Sequence, residues 1–89
     1  MQRRAVIFQG RVQGVGFRYA TREVAEAFAV TGWVRNEPDG SVRLEVQGEP
    51  AEVAAMLEAL QTRMDGYIRE TRIEAIAVTP GEAGFGIRR

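Results

Sequence analysis

The stretch Ala5-Val-Ile-Phe-Gln-Gly-Arg-Val-Gln-Gly-Val-Gly-Phe-Arg-Tyr19 decides how this chain begins to fold. Ala5–Phe8 is β-prone and bounded by Gly10, so it reads as a first strand that extends toward Val12. Gly14 and Gly16 then allow a sharply turned loop, since neither carries a Cβ that would hinder approach. From Tyr19 to about Val30, Ala20, Val24, Ala27 and Phe28 fall on one helical stripe, while Arg22, Glu23 and Glu26 lie elsewhere. Thr31-Gly32 reads as the end of that helix. Arg18 therefore stands where loop becomes helix, and such a junction gathers backbone N–H groups and positive charge around one small volume. An oxyanion suits it. The spacing alone is equally compatible with a βα turn that merely needs glycines. It is not the dinucleotide fingerprint, because the third glycine is missing.

Beyond the helix, Trp33-Val-Arg-Asn36 reads as a second strand and Pro38-Asp-Gly40 as a turn. Proline presets φ, aspartate suits the next position, and glycine takes the positive φ of a bulged hairpin. Ser41–Gln47 alternates, with Val42, Leu44 and Val46 facing one way and Arg43, Glu45 and Gln47 the other. Pro50 suits the first turn of a second helix and Glu52 sits favourably near its N-terminus. Val53, Met56, Leu57, Leu60 and Met64 mark its apolar face. Thr71–Thr79 is strand-like and broken by Pro80-Gly81; Phe85 and Ile87 suit a short fifth strand.

The order β-α-β-β-α-β predicts an α+β domain spanning residues 1–89, with two helices on one face of an antiparallel sheet: the ferredoxin-like split βαβ arrangement. In that topology the first and second strands run the same way, with the third between them. Their ends, the glycine loop with Arg18 and the Asn36 position, then share one sheet edge about 10 Å apart. An arginine side chain and one phosphate bridge such a gap. Asn36 is unfavourable by strand propensity, and an asparagine satisfying local backbone at a hairpin end is the competing explanation.

Composition narrows the chemistry. The 89 residues are 45% hydrophobic and 27% charged, ordinary for a globular domain. Twelve basic residues balance twelve acidic ones, giving no bulk electrostatic reason to expect nucleic acid. There is no cysteine, so disulfides, thiolate nucleophiles and zinc–sulfur sites are excluded. There is no histidine, the usual general base and commonest transition-metal ligand, and every basic residue is arginine, which excludes Schiff-base lysine chemistry. The carboxylates form no grouping that suggests a metal site. The short apolar run near the N-terminus is neither a signal h-region nor a membrane span, so a cytoplasmic protein without a membrane partner is expected. Phe17, Trp33 and the Met56/Leu57/Leu60/Met64 stripe are expected in the core. Arg3-Arg4 and Arg88-Arg89 are expected to be solvated termini.

Gly10-Arg-Val-Gln-Gly-Val-Gly-Phe-Arg-Tyr19, Gly32-Trp-Val-Arg-Asn36, Pro38-Asp-Gly-Ser-Val42 and Gln47-Gly48 strongly resemble the acylphosphatase family, and the Phe85-x-Ile-Arg88 ending is similar too. The resemblance spans essentially the whole chain. It implies hydrolysis of the carboxyl–phosphate bond of acyl phosphates with no metal or cofactor; a monomer is expected. By position, Arg18 matches the family's phosphate-binding arginine and Asn36 its water-positioning asparagine. The amides of Gln13, Gly14, Val15, Gly16, Phe17 and Arg18 would cradle the phosphate, and free phosphate or sulfate would occupy the same place. Two features depart from the family pattern: Ala29 replaces a common glycine at the first helix's exit, and Met64–Glu70 lacks a Gly-Pro connection. Both are expected to lie away from the site. The rival readings are a non-catalytic anion-binding module and an RNA-binding module, the latter resting on Trp33, Arg35 and Arg43 across the open sheet face.

Overall fold

The computed structural model describes all residues from Met1 to Arg89. The elements are β1 (Gln2–Gly10), α1 (Phe17–Glu26), β2 (Val30–Asn36), β3 (Val42–Gly48), α2 (Pro50–Arg63), β4 (Ile68–Ile76) and β5 (Phe85–Arg88). One five-stranded sheet has the order β4-β1-β3-β2-β5. β1 and β2 each pair antiparallel with β3, so they run parallel to one another, and β5 adds in parallel beside β2. This is the expected split βαβ sheet with its fifth strand.

The core lies between the helices and one sheet face. Val6 and Phe8 of β1, Val34 of β2 and Val42, Leu44 and Val46 of β3 point into it, as strand alternation requires. Phe17, Ala20, Val24 and Ala25 of α1 and Val53, Met56, Leu60 and Met64 close it from above. Leu57, on the flank of the same α2 stripe, packs against the core while partly exposed. Arg63 of α2 pairs with Glu23 of α1 across the helices' outer surface.

Several boundaries differ from the sequence reading. α1 stops at Glu26, and Thr31-Gly32 belongs to β2 rather than to a helix end. Gly32 has φ of +147°, and a Cβ there would lie 1.9 Å from the Glu45 carbonyl oxygen. The glycine is needed for close approach of two strands, not for a helix stop. The chain leaves α1 through Ala27–Ala29 without any left-handed non-glycine residue, and the Ala29 N–H donates to the Glu52 carboxylate at 2.8 Å. β4 begins at Ile68 and ends at Ile76, before the predicted Thr79. The Gln47 side chain takes over at Thr79, accepting from its N–H at 2.7 Å and donating to its carbonyl at 3.0 Å. A side chain there does the work of a strand partner.

Phe17 and Trp33 are both buried, as expected, but Trp33 lies outside the main cluster between helices and sheet. Its ring is 7% exposed yet lies on the sheet face opposite the helices, between the guanidinium groups of Arg35 at 4.9 Å and Arg88 at 4.5 Å. Arg3 is no solvated terminus. It is 2% exposed and donates to Glu45 at 2.9 Å, to Gln47 at 3.2 Å and to Glu82 at 2.8 and 3.1 Å. Those partners pin the segment between β4 and β5 to the sheet.

Candidate active site

β1 delivers the chain to the site and two ties fix its exit. Gly10 passes so close to β4 that a Cβ would lie 2.4 Å from the Tyr67 carbonyl oxygen. The next residue, Arg11, donates its N–H to that same oxygen at 2.9 Å, and its guanidinium lies over the Tyr67 ring at 5.4 Å. The connection before β4, expected to lie away from the site, therefore buttresses the first residue of the loop.

From there the loop turns through Gly14 and Gly16, at φ of +75° and +79°. These left-handed values carry no penalty for glycine and strain any other residue. Nothing lies within 4 Å of where their Cβ atoms would be, so the requirement is conformational. Gly16 forms the N-cap of α1, with no side chain capping the helix and no acidic residue in its first turn. The consequence is large: none of the backbone N–H groups from Val12 to Tyr19 donates to an acceptor within the protein. Any helix leaves its first four N–H groups without an internal acceptor, here Gly16 to Tyr19; this run continues four residues back into the loop and lies at the positive end of the helix dipole.

Asn36 arrives at the same edge by register. Phe8 of β1 and Asn36 of β2 both pair with Val42 of β3, so they stand level, one strand apart on either side. Val12, Gly14, Gly16, Phe17, Arg18, Tyr19 and Asn36 line one concavity of about 130 Å³. That is room enough for a small oxyanion and a water. Neither Arg18 nor Asn36 forms a side-chain hydrogen bond or ion pair with the rest of the protein. Among the predicted residues, Gly14, Gly16, Phe17, Arg18 and Asn36 therefore converge. Gln13 and Val15 do not line the concavity. The Gln13 side chain turns away, donating to the carbonyls of Glu37 at 2.8 Å and Ser41 at 2.9 Å, and Val15 packs against the core. Gln13 thus ties the loop to the β2–β3 turn, which follows Asn36 directly.

That turn has the predicted chemistry. Glu37 N–H donates to the Ser41 carbonyl at 2.8 Å, Gly40 sits at φ of +92°, and Asp39 accepts from the Ser41 hydroxyl and N–H at 2.6 and 2.9 Å. Those bonds from Ser41 hold the Asp39 carboxyl below its usual range.

Two residues of the concavity, Val12 and Tyr19, were not singled out by sequence. Val12 is an apolar loop residue 1% exposed, indistinguishable from core by its type; Tyr19 was read only as the first helical residue.

A larger recess, about 620 Å³, lies on the open sheet face and is arginine-rich too, but its arginines are occupied. Arg72, Ile7, Arg43, Arg35 and Arg88 form one row across all five strands. Arg35 pairs with Glu37, Arg43 with Glu45 and Arg72 with Glu70, while Arg88 stacks on Trp33. With Trp33 covered by two guanidinium groups, the ring offers no platform for a base. No group of three or more His, Cys, Asp or Glu side chains is placed to hold a metal ion. No helix is long and apolar enough to cross a membrane.

The family model that matches this chain is that of acylphosphatase, over residues 4–87. The chain belongs to the acylphosphatase family. The acylphosphatase of a Nocardioides species is 54% identical over 87 residues, covering 93% of this chain and 84% of that protein. The acylphosphatase of Salinibacter ruber is 47% identical over 85 residues, covering 90% of this chain and 85% of that protein. The crystal structure of acylphosphatase from Bacillus subtilis superposes with a TM-score of 0.91 at 29% identity, over the full length of both chains. Family membership thus accounts for the whole sheet and not for the loop alone.

Proposed function

We propose that this member of the acylphosphatase family hydrolyses acyl phosphates with Arg18 binding the phosphoryl group and Asn36 orienting the attacking water. The observation that carries the assignment of roles is the run of unpaired amides from Val12 to Tyr19 beside an arginine without a carboxylate partner. The loop amides of Gln13 to Arg18 receive the phosphoryl oxygens, and Arg18 adds charge-assisted hydrogen bonds. Asn36, which lines the same concavity as Arg18 and whose side chain is otherwise unbonded, holds a water against phosphorus. The water oxygen bonds to phosphorus as the phosphorus–oxygen bond to the acyl group breaks. The carboxylate leaves, and the water's proton passes to a phosphoryl oxygen.

This chemistry asks little of the protein beyond positioning and charge, because a carboxylate is a good leaving group. No histidine base, metal or cofactor enters it. Inorganic phosphate, as product, occupies the same cradle, and sulfate is its analogue. One chain supplies every group that the site uses, which supports a monomer; the cytoplasm is the expected compartment, with neither nucleic acid nor membrane as partner.

The test is hydrolysis of benzoyl phosphate by the purified protein with a chelator present. Turnover well above the spontaneous rate and insensitive to the chelator is expected. Turnover that the chelator abolishes would show that a metal supplies the charge assigned here to Arg18 and the loop. No turnover would leave only a phosphate-binding module.

A further inference from the structure

Building on the assignment of Arg18 and the loop as the phosphoryl cradle, we propose that Tyr19 determines which acyl groups this enzyme prefers, its ring forming the surface against which an apolar or aromatic acyl group rests. Tyr19 lines the same concavity as Arg18 and Asn36, yet it is 63% exposed. The other apolar side chains of the concavity cannot serve. Val12 is 1% exposed and Phe17 is 2% exposed, with the Phe17 ring packed on Phe8 at 5.0 Å. The remaining lining is glycine, Arg18 and Asn36, so Tyr19 supplies the accessible apolar surface at this rim.

The ring is also held ready. Arg22, three residues further along α1 and on the same helix face, lies over it at 5.2 Å. An exposed aromatic restrained on one side by a cation presents its remaining surface without first having to be ordered. The geometry of the reaction supplies the occupant. With the phosphoryl oxygens facing the loop amides and Arg18, the acyl group projects out of the cradle and across its rim. Acyl phosphates whose acyl part is planar or apolar gain a contact there, and acetyl phosphate, with a single methyl group, gains little.

The experiment compares benzoyl phosphate with acetyl phosphate. Tyr19→Ala is expected to lower kcat/KM for benzoyl phosphate about fivefold, within the range of one aromatic contact, and to change that for acetyl phosphate less than twofold. Inhibition by inorganic phosphate should be unchanged, and Tyr19→Phe should behave as wild type, since the ring and not the hydroxyl makes the contact. Equal loss for both substrates would overturn the inference by showing that Tyr19 shapes the phosphate loop instead. Unchanged kinetics for both would overturn it by showing that the acyl group lies elsewhere. Failure of the wild-type protein to hydrolyse either substrate would instead overturn the cradle assignment on which the inference rests.

Discussion

The two ends of this sheet each present an arginine, and they are treated in opposite ways. At one end Arg3 is 2% exposed and committed to Glu45, Gln47 and Glu82. At the other, Arg18 sits beside eight backbone amides, from Val12 to Tyr19, that donate to nothing within the protein. A buried guanidinium must be fully paired, because leaving its charge unmatched is costly. A guanidinium meant for a ligand must be left without an internal carboxylate. The first end is closed by its own partners, and the second is left without them.

This contrast is sharpened first by breaking the paired end. Arg3→Met should destabilise the fold by roughly 3 kcal/mol, since it strands Glu45 and Glu82 without their cation while both retain some solvent contact. Chemical denaturation would measure it. Below the unfolding transition, benzoyl phosphate turnover should stay within a factor of two of wild type. Loss of activity in the folded variant would mean that the two ends are not independent.

At the open end the expected effects are on rate. Arg18→Ala should lower kcat/KM by at least ~10²-fold, the scale of one lost donor to a developing charge, while leaving stability within about 0.5 kcal/mol. Asn36→Ala should lower kcat by roughly tenfold or more while the inhibition constant of inorganic phosphate stays nearly unchanged. If phosphate binding collapses instead, Asn36 holds the anion and not the water.

The smallest effect is one of pH. Burial pushes the Glu82 carboxyl up, but hydrogen bonds from Arg3 and Thr31, with the nearby positive charge, hold it below its ordinary value of 4.5. Glu45 is depressed likewise, burial being outweighed by hydrogen bonds from Arg43 and Arg3. A depressed carboxylate contributes stability above its unfolded pKa and loses that contribution as pH falls through the folded value. The melting temperature should therefore drop on acidification below about pH 4.5. It should drop less steeply in Arg3→Met, where the cation that depresses both groups is gone. Equal slopes would show that other carboxylates govern the acid response.

The open end was legible in the sequence, and the paired end was not. Strand alternation, the glycine loop and the split βαβ order place the loop and Asn36 on one edge, because β3 sets the register of both neighbours through Val42. Local signals suffice there, since the loop is contiguous. Arg3, by contrast, meets partners 42, 44 and 79 residues away, and nothing in its neighbourhood distinguishes it from Arg4. Trp33 is buried as its type suggests, but which face it occupies was not legible, because a buried aromatic reads the same on either face of a sheet. Gly32 misled because a glycine that lets strands approach and one that ends a helix are identical in sequence. Gln13 was read for its amide, while its side chain does a separate task in joining the loop to the β2–β3 turn.

The central claim is that the unpaired amides and Arg18 converge on one phosphoryl group. Titration of the ¹⁵N-labelled protein with inorganic phosphate tests it most directly, by following each backbone amide. The largest shifts should fall within Val12–Tyr19 and vanish in Arg18→Ala, while Asn36→Ala retains them. Shifts centred on Arg35, Arg43 and Arg72 across the open face, or loop shifts that persist without Arg18, would contradict the account.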